Sequence, residues 1–511
     1  MIHALTLLRD TYVDSVTQLS GTRALRGVDG VDWASAAMAT PGNIDTLRAE
    51  GFTVDDLTGA GANDLFIAVR AESDEVAEHA RQAGEEALFP ESDGRVDVQV
   101  QPARTLAEAL RRQPGSSVAV ISVPGEHAAL EAHKALSAGL HVLLFSDNVS
   151  LAEEIELKDR AVDLGLLLMG PGAGTAMLGG TCLGFANVVS PGRVAVVAAA
   201  GTGAQEAAVL LDRWGLGVAH VVGLGGRDLS AKVGGRMARA AVAGLAADPG
   251  IDAILLVSKP PDVDVAREVL AAAGDTPLVA ALIGVPADFA APDGVTVTRT
   301  LEAGAAAAVH ALGGTVPDVA DGLVDRVRAQ IDRLPAERTL VRGLFSGGTL
   351  CYESLVLLAD VLGDVHSNTP LRAELGLPAP DGAHTCLDLG EEEYTKGRPH
   401  PMIDPQARLE LLREQGADPT VAAIVLDVVL GHGSHPDPAS ELGPACRDIT
   451  AGGGPAVVVY VLGTEADPQV LSRQRAAFEA AGCLVTETAA RASLAAAAIA
   501  RRAPELAAQE V

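Results

Sequence analysis

Short apolar runs alternate with amphipathic helical stretches along most of the chain, and this alternation predicts the fold. Between residues 116 and 174, the strand-like runs SSVAVISVP and LHVLLFSDN are separated by the helical segment EHAALEAHKALSAG. Apolar strands that alternate with helices of this length are typical of parallel sheets covered on both faces. The pattern therefore predicts a βα sheet in this part of the chain.

Two further series of the same kind follow, and each predicts another parallel sheet. One begins at RVAVVAAAGTG and continues through IDAILLVSKPP to an Ala-rich helix near residue 302. The other contains the apolar runs VAAIVLDVVLGHG and PAVVVYVLG. Strands that alternate with helices in this way indicate an α/β fold with its sheets in the interior.

The first 88 residues have a different order of elements. Their pattern is strand, helix, strand, strand, helix, which predicts a small α+β domain over residues 1–88. The segment FPESDGRVDVQVQPAR, residues 89–104, is interpreted as a linker. The chain is therefore predicted to consist of a small N-terminal domain followed by a long α/β region.

Composition and charge narrow the classes of function. The 511 residues carry a formal net charge of -29 without a basic tract, which argues against nucleic acid and anionic membrane surfaces as partners. No uninterrupted apolar run reaches about 18 residues, so no membrane span is expected. The five cysteines are far apart, and the N-terminus lacks the layout of a signal peptide. We therefore expect a cytoplasmic protein with structural cysteines.

Glycine-rich strand ends are the candidate ligand sites, because ligands in such folds lie at the carboxyl ends of strands. In AAAGTGAQEAA, residues 198–208, a turn leads from a strand into a helix. Free backbone N–H groups and the helix dipole favour an anion at such a helix start. Gly201, Thr202 and Gly203 are therefore candidate phosphate ligands. The alternative is a tight turn in which Thr202 is only the N-cap.

The order of these segments resembles succinyl-CoA synthetase. The motifs MGPGAG, RVAVVAAAGTGAQEAA and GLGG follow the order of its α subunit, and LFSGGTLCYE and CLDLG that of the carboxyl domain of its β subunit. The resemblance covers roughly residues 105–505. It implies a CoA-binding-like Rossmann domain over 105–190, a flavodoxin-like domain over 191–320 and a second one over 336–511.

The chain as a whole is similar to the FdrA family, a fused relative of that synthetase. The stretches RGLFSGGTL, DLGEEEYTKGRPHPMID and LDVVLGHGSHPDPA carry this resemblance. Members are commonly labelled acyl-CoA synthetases. Some are similar to a subunit of oxamate carbamoyltransferase, which acts in allantoin catabolism with two partner proteins and moves a carbamoyl group between carbamoyl phosphate and oxamate.

Three parts of a nucleotide-forming ligase are not found in the sequence. The α-like part passes to the β-like part in about twenty-five residues, which leaves no room for an ATP-grasp domain, and no GxxxxGK[ST] loop replaces it. His310 lies inside the Ala-rich helix, where we expect a buried or half-buried structural histidine and not the phosphohistidine. The Gly-rich CoA loop is also missing. These absences favour a transferase that uses a preformed acyl phosphate.

The synthetase resemblance implies a phosphate held between two helix starts. One is the turn at residues 201–203, and the other follows LGHGSHPDP, with Gly431 and Gly433 as ligands. There His435 is a candidate donor to phosphate or general acid, with a capping role beside the HPDP turn as the alternative. Two helix dipoles at one oxyanion would stabilise a phosphate leaving group.

Further candidates surround these turns. Lys259, at the end of ILLVSK, is a candidate catalytic residue that holds an anion, with a surface lysine as the alternative. Arg398 is a candidate bidentate ligand of a substrate carboxylate, with a surface loop of ion pairs as the alternative. One strand-end turn is predicted to bind a substrate carboxylate or else to cap a helix: Ser346, Gly347, Gly348 and Thr349.

Three functions stay open at this point. The first is a carbamoyltransferase subunit, oxamate carbamoyltransferase-like, that acts on carbamoyl phosphate with partner subunits in a hetero-oligomer. The second is an acyl-CoA ligase completed by other chains, and the third is a non-catalytic regulatory or scaffold protein. No resident metal site is predicted. Mg²⁺ is left open as a cofactor, and CoA is a cofactor only under the ligase hypothesis.

Overall fold

The computed structural model describes residues 1–11, 13, 15–54, 57–61, 63–89, 103–286, 288–395 and 399–511. The chain divides into two compact units. The first consists of Met1–Ala103 with Thr395–Pro399, and the second of Arg104–Tyr394 with His400–Val511. No helix within the described ranges has both the length and the apolar character needed to cross a bilayer.

The first unit is a three-stranded antiparallel sheet with apolar cores on both faces. The central strand β3 pairs with both neighbours in the order β1-β3-β2. The sequence pattern predicts these strands but not the helix α2, which begins at Pro41 after an N-cap at Thr40. The elements are β1 (Ile2–Leu8), α1 (Ser15–Arg26), β2 (Val31–Met38), α2 (Pro41–Ala49), β3 (Leu65–Ala71) and α3 (Asp74–Leu88).

The second unit begins with a small parallel sheet in the order β4-β5-β6. Helices α5 and α6 bury small and apolar residues, among them Ala132 and Leu157, because these lie on the side of each helix that faces the sheet. The elements are α4 (Leu106–Arg112), β4 (Val118–Ile121), α5 (Gly125–Ser137), β5 (His141–Leu144), α6 (Leu151–Asp163) and β6 (Leu168–Met169).

A seven-stranded sheet follows, in the order β13-β12-β11-β9-β10-β7-β8. Five strands are parallel, and the antiparallel hairpin β7–β8 extends the edge at β10. The hairpin lies within residues 105–190, the range predicted for the Rossmann domain. Its strands nevertheless belong to the seven-stranded sheet. The elements are β7 (Thr175–Leu178), β8 (Thr181–Gly184), β9 (Val194–Ala198), α7 (Gly201–Arg213), β10 (Val218–Gly223), α8 (Arg236–Ala246), β11 (Ala253–Ser258), α9 (Val263–Ala271), β12 (Leu278–Leu282), β13 (Val295–Thr298), α10 (Leu301–Ala311) and α11 (Leu323–Arg333).

The last sheet has six parallel strands in the order β15-β16-β14-β17-β18-β19. Strands β17 and β18 are buried along their whole length, as expected for continuous apolar runs in a parallel sheet. The elements are β14 (Leu340–Phe345), α12 (Gly348–Leu362), β15 (Val365–His366), β16 (His384–Asp388), α13 (Glu392–Thr395), α14 (Gln406–Ala417), β17 (Val421–Val429), α15 (Pro438–Ala451), β18 (Ala456–Leu462), α16 (Leu471–Ala480), β19 (Leu484–Thr486) and α17 (Ala489–Arg501).

Helix α7 is buried from Thr202 to Leu211 because it lies between the two large sheets. One apolar core joins α7 to α12 and to the Ala-rich helix α17, whose small side chains permit close packing. This packing holds the starts of α7 and α12 next to each other. The predicted fold class, an α/β chain of parallel-sheet domains with a small N-terminal α+β domain, is confirmed.

Candidate functional site

A cleft of about 400 Å³ opens at the carboxyl ends of strands from both large sheets. Its walls consist of glycine-rich turns, the starts of α7 and α12, and a few charged side chains. Strand ends and helix starts expose backbone N–H groups, which makes such an edge suitable for a ligand. The lining includes Phe145, Asp147, Gly174, Phe185, Ala200, Gly201, Thr202, Gln205, Gly226, Lys259, Ser346, Gly348, Thr349, Asp388, Gly390, Glu391 and His400.

The start of α7 faces the cleft without a side-chain cap. The N-cap position is held by Ala200, which has no polar side chain, and Gly201 is exposed. The first N–H groups of a helix have no partner within the helix, so those of α7 remain available to a ligand. Aligned peptide dipoles add partial positive charge at this point. The geometry suits an anion at residues 201–203.

The start of α12 has a different environment, because a buried aspartate accepts from the N–H groups of the two residues that precede the helix. Asp427 Oδ1 accepts from the backbone N–H of Ser346 at 2.7 Å and from its hydroxyl at 3.0 Å, and Oδ2 accepts from the Gly347 N–H at 2.7 Å. The guanidinium of Arg408 lies 3.4 Å from the same carboxylate. The Ser346 turn is therefore held by the protein itself.

The two helix starts contact each other directly. The Oγ1 of Thr202 accepts from the backbone N–H of Thr349 at 3.3 Å, and both side chains are buried. A Cβ at Gly203 would lie only 2.8 Å from Thr349 Cγ2, so a larger residue would push the helices apart. The close approach of α7 and α12 thus depends on small residues at this point.

The predicted second phosphate turn, at residues 431–435, is not part of this cleft. Gly431, Gly433 and His435 do not line the cleft. Gln469 Oε1 accepts from the Gly431 N–H at 3.0 Å, and His435 Nδ1 accepts from the backbone N–H of Asp437 at 3.1 Å. Helix α12, and not the helix that follows LGHGSHPDP, completes the cleft opposite α7.

The turn at residues 431–435 is fixed instead against the segment that follows β8. Ala186 and His432 form an isolated antiparallel bridge, in which the His432 N–H donates to the Ala186 carbonyl at 2.7 Å. A Cβ at Gly433 would lie 2.7 Å from Phe185 Cδ1. The conformation of this turn therefore serves packing between the two large sheets.

Lys259 lines the cleft beside the α7 turn. Strand β11 pairs with β9, with Val257 opposite Ala198, so Lys259 leaves the sheet next to the residues that lead into α7. Its ammonium lies 6.0 Å from the ring centre of Tyr352, and the side chain is half-buried. A lysine in this position adds positive charge to the uncapped helix start.

Asp388 is the buried acid of the cleft, with only 3% of its surface exposed. Burial raises its pKa to about 6, while the N–H donated by Gly390 and the charge of Lys259 act in the opposite direction. Sequence reasoning missed this residue. The sequence does contain a signal for it, because an acidic residue ends the strand-like run CLD shortly before a glycine.

His400 adds an uncharged donor to the same wall. Burial lowers its pKa, and its Nδ1 accepts from the backbone N–H of Met402 at 3.2 Å. The neutral ring therefore carries its proton on Nε2. A Cβ at Gly390 would lie 2.7 Å from that Nε2, which places the nitrogen beside the Gly390 turn.

The other predicted residues have mixed outcomes. Ser346, Gly348 and Thr349 line the cleft, but Ser346 donates its hydroxyl to Asp427. Arg398 lies outside the described residues. His310 was expected to be buried or half-buried and is exposed, because it lies in the last turn of α10. The roles assigned to these residues stay predictions.

Two buried glutamates lie one turn behind the helix starts. Burial raises the pKa of Glu206 on α7 to about 7 and that of Glu353 on α12 to about 8. Glu206 Oε2 accepts from the Tyr460 hydroxyl at 2.5 Å, and Glu353 Oε1 accepts from the Leu301 N–H at 2.6 Å. At neutral pH the Glu353 carboxyl is protonated, which avoids an unpaired charge between the helices.

Glu353→Gln is expected to remove part of the pH dependence of stability. The folded-state pKa of Glu353 lies above its ordinary value of 4.5, so its stabilising proton is fully bound below pH 4.5 and is lost as the pH rises through about 8. We expect the variant to gain roughly 2 kcal/mol relative to wild type between pH 6 and pH 9 in urea unfolding. The exposed Glu505→Gln is the control, and equal pH profiles for wild type and Glu353→Gln would contradict the assignment.

Two family descriptions match the chain. Residues 344–499 match the CoA-ligase family, and residues 1–102 match the description "AllF, heavy metal-associated domain". YahF of Escherichia coli is 38% identical over 506 residues, which is 95% of this chain and 96% of YahF. The α subunit 2 of the ADP-forming succinate–CoA ligase of Archaeoglobus fulgidus is 32% identical over 119 residues, or 22% of this chain, which spans only 42% of that subunit.

Solved structures give weaker similarities. ATP citrate lyase of Methanosaeta concilii is 20% identical over 42% of this chain and 38% of that chain, with a TM-score of 0.32. The dinucleotide-forming acetyl-CoA synthetase 1 of Ca. Korarchaeum cryptofilum is 17% identical over 76% of this chain and 84% of that chain, with a TM-score of 0.25.

The residues of the first unit do not fit a soft heavy metal. Residues 1–102 contain no cysteine, and their only histidines are His3 and His79. No group of three His, Cys, Asp or Glu side chains able to hold a metal occurs in the described parts of the chain. The exposed His3 ring stacks on Phe52 with 4.6 Å between the ring centres, and its Nδ1 lies 3.0 Å from the Gly51 carbonyl oxygen.

Proposed function

We propose that this chain, which belongs to the family of YahF and is an FdrA-like, succinyl-CoA synthetase-like fusion, is a subunit of an acyl phosphate-dependent transferase. Its donor is carbamoyl phosphate or a related acyl phosphate. The phosphate binds at the start of α7, and the acyl group lies toward the start of α12. The carbamoyl group is the choice that the FdrA resemblance implies.

The uncapped start of α7 beside Lys259 is the observation that supports this proposal. Gly201 is exposed to the cleft, no side chain caps the helix, and Lys259 lines the same wall. A phosphate there accepts backbone hydrogen bonds and is attracted by the helix dipole and by the Lys259 ammonium. The same contacts stabilise the charge that develops on a phosphate leaving group.

The chemistry needs a donor, an acceptor and a path for one proton. An acceptor nitrogen attacks the carbonyl carbon of carbamoyl phosphate, the new C–N bond forms, and the C–O bond to phosphate breaks. In this proposal neutral His400, whose Nδ1 accepts from the Met402 N–H, donates to the carbonyl oxygen through Nε2. Partner subunits in a hetero-oligomer complete the acceptor side.

An acyl-CoA ligase is the second candidate. It is favoured by the match of residues 344–499 to the CoA-ligase family and by a cleft of about 400 Å³, which is larger than carbamoyl phosphate requires. In that case other chains supply the nucleotide-binding domain, and CoA is a substrate. Binding measurements separate the two candidates, because only the ligase needs CoA or ATP.

Calorimetric titration of the full chain with carbamoyl phosphate, phosphate, CoA and ATP, each with and without Mg²⁺, tests the proposal. We expect carbamoyl phosphate and phosphate to bind, and Lys259→Met to weaken both about tenfold through loss of one partly exposed cation. The exposed Lys232→Met is the matched control. Binding of CoA or ATP with no heat from carbamoyl phosphate would replace the transferase by the ligase.

A further inference from the structure

We propose that Asp388 is the proton-exchanging residue of the cleft: its carboxyl takes up a proton when an anion binds at the start of α7, and Oδ2 presents that proton to the ligand. This inference rests on the proposed function, since it assumes that an anion occupies the α7 end. It adds a defined role to a residue that lies in the motif CLDLG but was not predicted to be a site residue.

The two oxygens of Asp388 have different environments. Oδ1 accepts from the backbone N–H of Gly390 at 2.9 Å. Oδ2 has no hydrogen-bond partner among the residues that the structure describes, although Asp388 is only 3% exposed and lines the cleft. Oδ2 is therefore the oxygen that faces the cleft, and once it is protonated it donates a hydrogen bond to a ligand there.

The position of this carboxyl is fixed from two sides. The side-chain amide of Asn368 donates to the Asp388 carbonyl at 2.8 Å and accepts from its N–H at 3.0 Å, which clamps the backbone. A Cβ at Gly348 would overlap Asp388 Oδ2, so glycine at the first position of α12 leaves room for the carboxyl. Oδ2 is thereby held at the start of α12.

The start of α12 lies next to the predicted anion site. Gly347 and Gly348 are adjacent, and a Cβ at Gly347 would lie 2.9 Å from Thr202 Oγ1, in the first turn of α7. One peptide unit of α12 therefore separates the α7 turn from the carboxyl. A phosphate-sized ligand seated at α7 lies within reach of Oδ2.

The charges that face Asp388 have opposite signs. Glu391 and Asp427 disfavour its ionisation and Lys259 favours it, while burial raises its pKa to about 6. His400 lies on the same wall and is neutral, because burial lowers its pKa, and Arg408 is paired with Asp427. Asp388 is thus mainly ionised at pH 7 in the free protein, and a bound dianion would disfavour a second negative charge and favour its protonation.

In carbamoyl transfer, Asp388 moves one proton from the acceptor nitrogen to the phosphate. The acceptor nitrogen forms the C–N bond, and the C–O bond to phosphate breaks with its electron pair on the phosphate oxygen. Asp388 Oδ2 gives that oxygen the proton it took up when the donor bound. The ionised carboxyl then takes the N–H proton of the carbamoylated acceptor nitrogen, which restores protonated Asp388. The products are the carbamoylated acceptor and hydrogen phosphate, so atoms and charge balance without a further reactant.

Binding-linked proton uptake tests the assignment. The full chain is titrated at pH 7 with sulfate, whose charge is constant between pH 6 and 8, and in parallel with phosphate, in two buffers of different ionisation enthalpy. We expect uptake of up to about one proton per bound sulfate, and an affinity that falls up to about tenfold per pH unit above pH 7. Asp388→Asn should bind sulfate with no uptake and a flat pH profile, whereas Asp147→Asn, another carboxyl of the cleft wall, should keep the uptake.

The outcomes separate this inference from the proposed function. Anion binding by wild type without proton uptake, or undiminished uptake in Asp388→Asn, overturns the role of Asp388 and leaves the anion site in place. Failure of both sulfate and phosphate to bind overturns the anion site and this inference with it. If Asp388→Asn does not fold, His400→Gln is titrated in its place: uptake that persists supports Asp388, and uptake that disappears assigns the proton to His400 and overturns the role of Asp388.

Discussion

Replacing Arg408 by methionine is expected to lower the free energy of unfolding by about 3–5 kcal/mol, because it leaves a buried carboxylate without its cation. Arg408 is 2% exposed, and Asp427 is fully buried. The guanidinium lies 3.4 Å from Asp427 Oδ1 and also donates to the Asp427 carbonyl. Methionine fills much of the volume but supplies neither the charge nor the hydrogen bond.

Loss of the Arg408 guanidinium should change the cleft as well as the stability of the core. Asp427 holds the N–H groups of Ser346 and Gly347, so it fixes the start of α12. A carboxylate without its guanidinium partner will take up a proton or rearrange, and either change loosens that turn. We therefore expect Arg408→Met to weaken phosphate binding in addition to lowering stability.

Arg413→Met is the matched control for this prediction. Arg413 lies on the same helix α14 but is exposed, so the same substitution should change the free energy of unfolding by less than about 0.5 kcal/mol. Urea unfolding of both variants at pH 7 is the measurement. A loss for Arg408→Met no larger than that of Arg413→Met would show that the buried pair contributes nothing to stability.

The sequence predicted the sheets well, because a parallel sheet has a simple signature. Runs such as VAVVA at β9 and AILLVS at β11 are apolar at every position, and the structure buries them on both faces. Elements without such runs were missed. The hairpin β7–β8 has short strands, and α2 follows β2 with only a proline and a cap to mark it.

The sequence indicated which turns line the cleft but not which helix lies next to α7. The strand-end turns at 201–203 and 346–349 both reach the cleft, as their glycines indicate. The choice of α12 over α15 as the neighbour of α7 depends on which core each helix joins: α12 shares an apolar core with α7, and α15 packs in a separate core. Packing among distant segments decides this, and local sequence patterns do not contain it.

The buried acidic residues were also not predicted from the sequence. Asp427 interrupts the apolar run VAAIVLDVV, which is a visible signal of a buried charge that needs a partner. Its partner, Arg408, lies on α14 and looks like an ordinary helix residue in the sequence. Only the folded chain brings the two together. It also shows that the carboxylate of Asp427 binds the turn before α12.

Gly201→Asp should abolish most phosphate binding while it leaves the fold intact, and this is the sharpest test of the anion site. Gly201 is exposed at the start of α7, and a Cβ there would have Thr175 Oγ1, at 3.8 Å, as its nearest neighbour. A carboxylate at a helix N-terminus also interacts favourably with the dipole. Gly203→Asp would be a poorer test, because its Cβ would meet Thr349 Cγ2 at 2.8 Å.

The carboxylate of Gly201→Asp takes the place of the anion and repels a phosphate dianion, which should weaken binding of phosphate and carbamoyl phosphate about 100-fold at the dielectric of a partly exposed site. Gly201→Asn has nearly the same shape without the charge, so it should lose less than about fivefold, and both variants should melt within a few degrees of wild type. Calorimetric titration with phosphate gives the comparison. If Gly201→Asp binds phosphate as wild type does, the anion does not lie at α7. If Gly201→Asn loses as much as Gly201→Asp, the loss comes from the shape of the turn and not from charge.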